Sequence, residues 1–265
     1  MFKYTKWVLR LIFPLLGAYF IWMIRYARKP EKYPLELRYG RTRKFILKLA
    51  KVLDLEITIN NQPKFNKDEK YYIVANHNSL VDAVVAVYLF EEPVTFIVKK
   101  EASKTPFVRL FIKIIGGVYI ERDNLRQEIQ AMQKTRDSLA AQEVSWMVFP
   151  EGTRNRDYHA PVAPYKAGAF KAPLQTDTTI VPLVMWGTQL VLPLKTRAKK
   201  FPILVEFLPP VTKSEMAGLN TQQIAMAVEE ATNKKREQLK VEYLKLAQLN
   251  KHGRAIINKQ TGKEE

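Results

Sequence analysis

The sequence lacks cysteine entirely and contains only three histidines among its 265 residues. Without cysteine the chain has no disulfide, no thiolate nucleophile and no Cys-ligated zinc. The histidines, His77, His159 and His252, are widely separated along the sequence, so they do not indicate a metal-binding cluster. We therefore predict no metal and no bound cofactor, and any histidine-based chemistry has to use one of these three side chains.

Acidic residues are also scarce, with 26 Asp and Glu against 43 Lys and Arg, and the formal net charge is +17. Such an excess indicates an anionic partner, such as a nucleic acid, an anionic lipid or a phosphorylated substrate. The basic residues are spread over the chain and match no recognised nucleic-acid-binding motif. We predict no nucleic-acid partner. A non-catalytic, basic membrane-surface protein remains the alternative from a different functional class.

One long apolar run lies near the N-terminus, at Trp7–Ile24, and is interrupted by Arg10 and Pro14. As a helix it would be about 27 Å long, slightly less than the roughly 30 Å hydrocarbon core of a bilayer. The run is compatible with a full span, with insertion into one leaflet or with a buried core helix. A second helix is predicted at Leu35–Leu53. Its basic residues recur every three or four positions: Arg38, Arg41, Lys44, Lys48 and Lys51. A basic amphipathic helix beside an apolar segment is typical of membrane surfaces, so residues 1–55 are predicted to form a membrane-docking segment.

Short apolar runs alternate with helical patterns over residues 56–213. Strands are predicted at Glu56–Ile59, Tyr71–Ala75, Val94–Val98, Gly117–Ile120, Ser145–Phe149, Ile180–Trp186 and Ile203–Phe207. Helices are predicted at Ser79–Phe90, Pro106–Ile115, Leu125–Ala141 and Ala167–Leu174. This alternation favours an α/β fold, with a mixed sheet flanked by helices. Residues 214–265 are predicted to add a C-terminal helix, starting near Thr221, and a polar tail.

The segment ANHNSLVD, residues 75–82, comes directly after a predicted strand. If His77 lies in the turn after the strand and Asp82 in the first turn of the next helix, the carboxylate can reach one imidazole nitrogen. Such a contact fixes the tautomer and leaves the other nitrogen free to accept a proton. A structural alternative is that Ser79 and Asp82 form a capping box and that His77 is an ordinary turn residue.

Two further segments place charged side chains after predicted strands. FPEGTR, residues 149–154, presents a carboxylate, a hydroxyl and a guanidinium at the carboxyl end of a strand, where open α/β sheets bind ligands. GGVYIERD, residues 116–123, places Arg122 beyond another short strand, and a guanidinium can grip a phosphate through two parallel hydrogen bonds. Taken singly, FPEGTR is equally compatible with a polar loop, and Arg122 alone is better explained as a solvated side chain paired with Glu121 or Asp123.

In this order the motifs resemble those of the glycerolipid acyltransferase family, and most closely those of the bacterial 1-acylglycerol-3-phosphate acyltransferases. The resemblance extends over about Tyr71 to Trp186. The matching positions are Asn76, His77 and Asp82; Gly117 to Arg122; FPEGTR at residues 149–154; Tyr165 to Gly168; and Ile180 to Pro182. Tyr119 and Glu121 stand where the family more often has Phe and Asp.

The resemblance implies an enzyme that moves a fatty acyl group from acyl-CoA or acyl-carrier protein to the sn-2 hydroxyl of lysophosphatidic acid, giving phosphatidic acid. His77 would be the general base and Asp82 the residue that orients it. The acceptor's glycerol phosphate would be held by Arg122, Glu151, Gly152, Thr153 and Arg154. A lysine after the first motif, Lys99 or Lys100, would assist at the acyl end or at the oxyanion.

The resemblance leaves another lysophospholipid or glycerol 3-phosphate open as the acceptor. It also implies binding to anionic membrane lipids, with the active site on the cytoplasmic side of the membrane.

A His–Asp pair without a serine nucleophile indicates how such a reaction would proceed. The sequence has no G-x-S-x-G nucleophile elbow, and Ser79 is too close to His77 in sequence to be an obvious substitute. The substrate's own hydroxyl is therefore expected to attack the thioester, with His77 removing its proton and without an acyl-enzyme intermediate. The oxyanion needs hydrogen-bond donors, from backbone N–H groups or Lys99, one of which is typically worth about 3–4 kcal/mol.

Overall fold

The computed structural model describes residues 12–121, 124–158, 160–191 and 201–249. The first part of the apolar run predicted at Trp7–Ile24 and the predicted polar tail lie outside these ranges, as do Arg122, His159 and His252.

In the described part of the chain, seven strands form one mixed sheet. They are β1 Leu55–Asn60, β2 Tyr72–Ala75, β3 Val94–Lys99, β4 Val118–Ile120, β5 Ser145–Val148, β6 Ile180–Trp186 and β7 Phe201–Phe207. Their spatial order is β1-β7-β6-β2-β5-β3-β4. All neighbouring pairs are parallel except β6 and β7, so β1 and β7 run opposite to the other five strands. The predicted α/β class and mixed sheet are confirmed.

Helices flank this sheet. The described part of α1 comprises residues 12–18, a π-helical turn at Tyr19–Met23 and the segment Ile24–Arg28. The others are α2 Leu35–Val52, α3 Val81–Leu89, α4 Pro106–Ile114, α5 Leu125–Ala140, α6 Lys171–Gln175, α7 Lys213–Met216 and α8 Thr221–Leu249. A 3₁₀ turn at Ala167–Phe170 precedes α6.

The central strand β2 is covered on both faces. Ile73 and Ala75 belong to an apolar cluster shared with α1, α2, α3 and α4, whereas Tyr72 and Val74 belong to a second cluster shared with α5, α6 and α8. Successive side chains of a strand point to opposite faces, so the two clusters lie on opposite sides of the sheet. A strand buried on both faces has a nearly continuous apolar sequence, as YIVA does.

The N-terminal helices pack against the sheet's first cluster. Trp22 and Tyr26 of α1 and Tyr39 of α2 are buried in it. For Trp22, which belongs to the apolar run, this burial agrees with the alternative of a buried core helix. On the other side of α1, Phe13 and Phe20 are 70% and 69% exposed. Among the described helices, none is both long enough and apolar enough to cross a membrane.

Arg38 is not part of the exposed basic stripe in which its spacing placed it. It is buried, and its guanidinium donates to the carbonyls of Tyr33, at 2.9 Å, of Lys113, at 3.3 Å, and of Ile114. The last carbonyls of a helix lack intrahelical partners, so this cation completes the C-terminal end of α4. Burial lowers the pKa of Arg38. The exposed cations that remain in the stripe are Arg41, Lys44, Lys48 and Lys51.

Candidate active site

The carboxyl ends of five parallel strands, β6, β2, β5, β3 and β4, lie at one edge of the sheet. The chain leaves β2 and β5 at this edge in opposite directions. From β2 the chain continues through α3 to β3, whereas from the adjacent β5 it continues through α6 to β6 on the far side of β2. α3 and α6 belong to different clusters, so the two connections cover opposite faces. Such a switch point leaves a crevice at the strand ends, where open α/β sheets bind ligands. Residues 76–80, after β2, and 149–154, after β5, lie at this crevice.

The structure contains the contact expected between His77 and Asp82. His77 Nδ1 lies 2.8 Å from Asp82 Oδ2, the carboxylate is fully buried and the imidazole side chain is 20% exposed. An ionised carboxylate only accepts hydrogen bonds, so Nδ1 carries the proton and Nε2 is left as the proton acceptor. This is the geometry of a general base with an orienting carboxylate. The catalytic role of the two residues stays a prediction.

The same carboxylate oxygen also shapes the turn. Asp82 Oδ2 accepts the backbone N–H of Asn78 at 2.7 Å and that of Ser79 at 2.8 Å. Ser79 Oγ in turn accepts the N–H of Val81 at 3.2 Å. The predicted His77–Asp82 pairing is therefore present together with one half of the predicted capping box, the Ser79 N–H bonded to Asp82, and both use the same oxygen atom. The other half is absent, because Ser79 Oγ bonds to the N–H of Val81 and not to that of Asp82. Because three donors hold that oxygen, the start of α3 sets the orientation of the imidazole.

The FPEGTR loop braces the other side of the histidine. The Phe149 ring stacks on the His77 ring, with the centroids 4.2 Å apart and 20° between the planes. The His77 N–H donates to Glu151 Oε1 at 2.6 Å, and the His77 carbonyl accepts the N–H of Asn155 at 2.7 Å. The two motifs, distant in sequence, thus form one site.

Glu151, predicted from the sequence to help hold the acceptor's glycerol phosphate, is engaged by backbone groups of the protein. Its second oxygen accepts the N–H of Ala163 at 3.2 Å, so backbone groups engage both oxygens of this buried side chain. Burial raises the pKa of Glu151, and the N–H groups of His77 and Ala163 oppose that rise. A carboxylate would also repel a phosphate. We therefore assign Glu151 to holding the histidine turn.

Two asparagines join the histidine turn to β6. Asn76 Oδ1 accepts the N–H of Met185 at 2.8 Å, and Asn76 Nδ2 donates to the Met185 carbonyl at 3.0 Å. Asn78 Nδ2 donates to the same carbonyl at 2.9 Å. No spacing or residue pattern in the sequence predicts these contacts. Asn76 was visible as part of a motif, whereas Met185 carries no sequence signal because it contributes only its backbone.

The turn after Glu151 exposes two of the residues predicted to bind phosphate, Thr153 and Arg154. Gly152 has a φ of +66°, and a Cβ there would lie 3.2 Å from Lys166 Cε and 3.4 Å from Lys166 Nζ. Glycine therefore permits both the left-handed backbone and the passage of the Lys166 side chain over the turn. An ammonium group is thereby brought to the segment that carries Arg154.

The two candidate lysines lie at the end of β3. Lys99 is its last residue, and Lys100 forms an ion pair with Glu121, which follows β4. Both lysines therefore stay candidates for the acyl end, and Lys99 lies at the strand end itself. Arg122 lies outside the described residues; Ile120, which is opposite Lys99, ends β4 at the same edge of the sheet.

The groups at the crevice suit one kind of chemistry. They are a base, its orienting carboxylate, a cation-bearing turn and a lysine at a neighbouring strand end. Such groups suit removal of a proton from a hydroxyl on an anionic substrate. Within the described ranges, no cluster of three or more His, Cys, Asp or Glu side chains could hold a metal ion.

Comparison with known proteins adds to this geometry. A family model described as Acyltransferase matches residues 56–186. A probable 1-acyl-sn-glycerol-3-phosphate acyltransferase of Mycoplasma pneumoniae is 28% identical over 231 residues, 82% of this chain and 83% of that protein. The 1-acyl-sn-glycerol-3-phosphate acyltransferases of Limnanthes douglasii and Borreliella burgdorferi are 29% and 28% identical over 60% and 51% of this chain. The chain spans only about half the length of these two relatives, 56% and 52%.

Among solved structures, the crystal structure of the 1-acyl-sn-glycerophosphate (LPA) acyltransferase PlsC from Thermotoga maritima is similar, with a TM-score of 0.69. The match covers 90% of this chain and 97% of that one at 24% identity. At this level of identity the likeness shows the fold.

Proposed function

Because residues 56–186 of this chain form an acyltransferase-family domain, we propose that the protein transfers a fatty acyl group from acyl-CoA or acyl-carrier protein to the sn-2 hydroxyl of 1-acylglycerol 3-phosphate, giving phosphatidic acid. The curated relatives described above are named for acyl transfer to this acceptor. The observation that carries the proposal is the 2.8 Å contact between His77 and the buried Asp82, at a crevice that the FPEGTR loop helps to build.

The reaction follows from the proton positions in this pair. Nε2 of His77 takes the proton of the acceptor hydroxyl while that oxygen attacks the thioester carbonyl carbon. The tetrahedral intermediate then breaks its carbon–sulfur bond, the thiolate leaves, and His77 returns the proton to the sulfur. Ser79 is not aligned as a nucleophile, because it is buried and its Oγ accepts the N–H of Val81. The acyl group passes directly to the acceptor oxygen.

The acceptor's phosphate is the group that orients the hydroxyl. Thr153 and Arg154 are exposed on the turn that adjoins the histidine, and Lys166 lies over the same turn. Arg122 completes this proposed set, and Lys99 stabilises the oxyanion. Orientation of this kind supplies about 7–11 kcal/mol in well-aligned systems, which makes it a major share of catalysis.

We place the membrane contact on residues 1–55. The outward face of α1 and the start of α2 expose apolar side chains, namely Ile12, Phe13, Leu16, Phe20, Ile21 and Leu37. The opposite face of α1 is packed against the protein body, so lipid cannot surround this helix on all sides. We therefore favour insertion into one leaflet, with the active site on the cytoplasmic side. The exposed cations of α2 contribute about 1 kcal/mol each near an anionic surface.

The catalytic part of the proposal is tested by following thiol release from an acyl thioester in the presence of lysophosphatidic acid. His77→Gln should abolish release while thermal unfolding stays near that of the wild type. A donor-by-acceptor matrix, with acyl-CoA and acyl-carrier protein against lysophosphatidic acid, other lysophospholipids and glycerol 3-phosphate, identifies the substrates. Preference for another acceptor would replace lysophosphatidic acid in the proposal, and no release with any pair would favour a non-catalytic membrane protein.

The phosphate contact is tested by a charge-matched pair of variants. Arg154 and Arg156 are both exposed on the same loop. Arg154→Ala should raise the KM for the acceptor far more than the KM for the donor, whereas Arg156→Ala should change neither. Equal effects of the two variants on the acceptor KM would remove Arg154 from the phosphate site.

The docking surface is tested by flotation with anionic liposomes. Removing residues 1–55 would expose core side chains, so point variants are preferable. Phe20→Ser together with Ile21→Ser should reduce flotation, because each side chain is 69% exposed and can enter the bilayer. Met226→Ser, which alters a side chain on α8 that is 60% exposed, is the control and should float as the wild type does. Equal flotation of all three proteins would contradict docking through α1.

A further inference from the structure

A row of polar side chains on α8 faces the loop that follows FPEGTR. Glu229, Asn233 and Arg236 are four and three residues apart, so they share one face of the helix. We call these three residues the α8 clamp. The helix lies outside residues 56–186, to which the family model is matched, and none of the sequence motifs falls in it.

Two members of the clamp accept backbone hydrogen bonds from the loop. Glu229 Oε2 accepts the N–H of Tyr165 at 2.7 Å, and Asn233 Oδ1 accepts the N–H of Val162 at 2.9 Å. The side chains of Val162 and Tyr165 are buried beneath α8 in the second apolar cluster. The loop is therefore held against the helix by both polar and apolar contacts.

Arg236 supplies the matching donors. Its Nη1 donates to the carbonyl of Ala160 at 2.7 Å and its Nη2 donates to that of Tyr158 at 2.9 Å. The side chain is only 1% exposed, and the guanidinium lies 5.0 Å from the ring centroid of Trp186. A buried cation needs hydrogen-bond partners, and these two carbonyls supply one each to Nη1 and Nη2, whereas Nε has none among the described residues. The position of the loop is thus tied to the fork geometry of the guanidinium.

On its other side the clamped loop is tied to the histidine. Asn155 Nδ2 donates to the Pro161 carbonyl at 3.0 Å, and the Asn155 N–H donates to the His77 carbonyl at 2.7 Å. The N–H of Ala163 donates to Glu151, whose other oxygen accepts the His77 N–H. Two hydrogen-bonded routes therefore lead from α8 through the loop to the backbone of His77.

We propose that Arg236 is a positioning residue for acyl transfer, which holds the loop so that Thr153 and Arg154 meet the acceptor while Glu151 holds the histidine turn. This rests on the proposed function, because it places Arg236 on the acceptor side of that reaction. A misplacement of about 1 Å can cost about 10²-fold in rate. Since the clamp holds the loop that directly follows Thr153 and Arg154, acceptor binding depends on it more than donor binding does.

The test uses the full chain and three variants. Arg236→Gln removes the charge, Arg236→Lys keeps the charge but not the two-pronged fork, and Leu239→Ala is a control that destabilises the same helix at a buried core position. Thermal unfolding is measured first, and kinetics are then measured at a temperature where all variants are folded. Hydrogen exchange is followed at the amides of Val162 and Tyr165, which bond to the neighbouring members of the clamp.

Arg236→Gln should raise the acceptor KM by about tenfold or more while the donor KM changes little, with Arg236→Lys intermediate. The amides of Val162 and Tyr165 should exchange faster in Arg236→Gln than in Leu239→Ala. If the two variants change the ratio of the KM values equally, or if exchange at both amides stays as in the wild type, the proposal is overturned. If the wild type acylates no acceptor, the proposed function has failed, and the exchange result still decides whether Arg236 holds the loop.

Discussion

Replacement of Asp82 by asparagine tests how the histidine is held. Asp82 Oδ2 accepts three N–H donors, from the His77 ring at 2.8 Å, Asn78 at 2.7 Å and Ser79 at 2.8 Å. An amide has one acceptor oxygen and one NH₂ group. If the NH₂ group of the asparagine occupied the position of Oδ2, it would place donors against the donating N–H groups of Asn78 and Ser79. The amide oxygen is therefore expected at that position. We therefore expect the imidazole to keep its proton on Nδ1 in Asp82→Asn.

The variant then loses charge and keeps orientation. When His77 takes the acceptor's proton, the carboxylate attracts the imidazolium, and two unit charges 4 Å apart gain about 4 kcal/mol at an effective dielectric constant of about 20. The smallest expected loss is the advantage of a charge-assisted over a neutral hydrogen bond, about 1 kcal/mol. At about 1.4 kcal/mol per factor of ten, kcat should fall between about 5-fold and about 1,000-fold. If the amide were flipped, its NH₂ group would donate to Nδ1 and leave the proton on Nε2, and kcat would fall by about 10⁴-fold.

The assay is kcat from thiol release at saturating donor and acceptor, together with the nitrogen chemical shifts of the imidazole. Ser79→Ala is the matched control, because it removes the hydroxyl bonded to Val81 and leaves the Ser79 N–H bonded to Asp82. It should lower stability with little effect on kcat. A loss of about 10⁴-fold or more in Asp82→Asn, with the proton on Nε2, would refute the argument about the amide oxygen. An unchanged kcat would refute the role of the pair.

The remaining predictions concern the FPEGTR loop. Burial raises the pKa of Glu151 above its ordinary 4.5, so folding favours the protonated side chain. The stability that this preference contributes is full below about pH 4.5 and is lost as the pH rises through the raised pKa. The free energy of unfolding in urea, measured from about pH 4 to about pH 8, should therefore fall with pH more steeply in the wild type than in Glu151→Gln. Identical pH dependence in the two proteins would contradict the raised pKa. Gly152→Ala and Gly218→Ala should each lose about 1–2 kcal/mol of stability, since both glycines have positive φ. Only the first, whose Cβ meets Lys166, should raise the acceptor KM; a rise in both would contradict the place assigned to Lys166.

The elements were predictable because their signals are local. β6 has the bounds that the sequence predicts. Of the other strands, β1 is longer by one residue at each end, and the rest differ from prediction by one or two residues at one end. Buried strands such as YIVA and IVPLVMW carry uninterrupted apolar side chains between polar turns, so their limits are visible in the sequence. The contact between His77 and Asp82 was predictable for the same reason, since one turn joins the two residues.

Two assignments were wrong or missed because they depend on distant residues. Arg38 has the spacing of a surface stripe, yet it is buried because the end of α4 packs beside it and offers carbonyl partners. The contact of Glu151 with the backbone of His77 joins segments that follow different strands. Their separation in sequence gave no indication that both oxygens of Glu151 would be engaged.

By itself, the sequence determined which segments become strands and helices, that a histidine and a carboxylate lie within reach of each other across one turn, and that the chain carries excess positive charge. These properties depend on side-chain periodicity, local spacing and composition. Tertiary structure decided the strand order, which brings the ends of β2 and β5 together, and the seating of α8 against the loop. Only the folded structure gives Arg236 its partners, because the backbone carbonyls that it binds belong to a segment about 76 residues away. Every residue has such a carbonyl, so the sequence contains no signal for this contact.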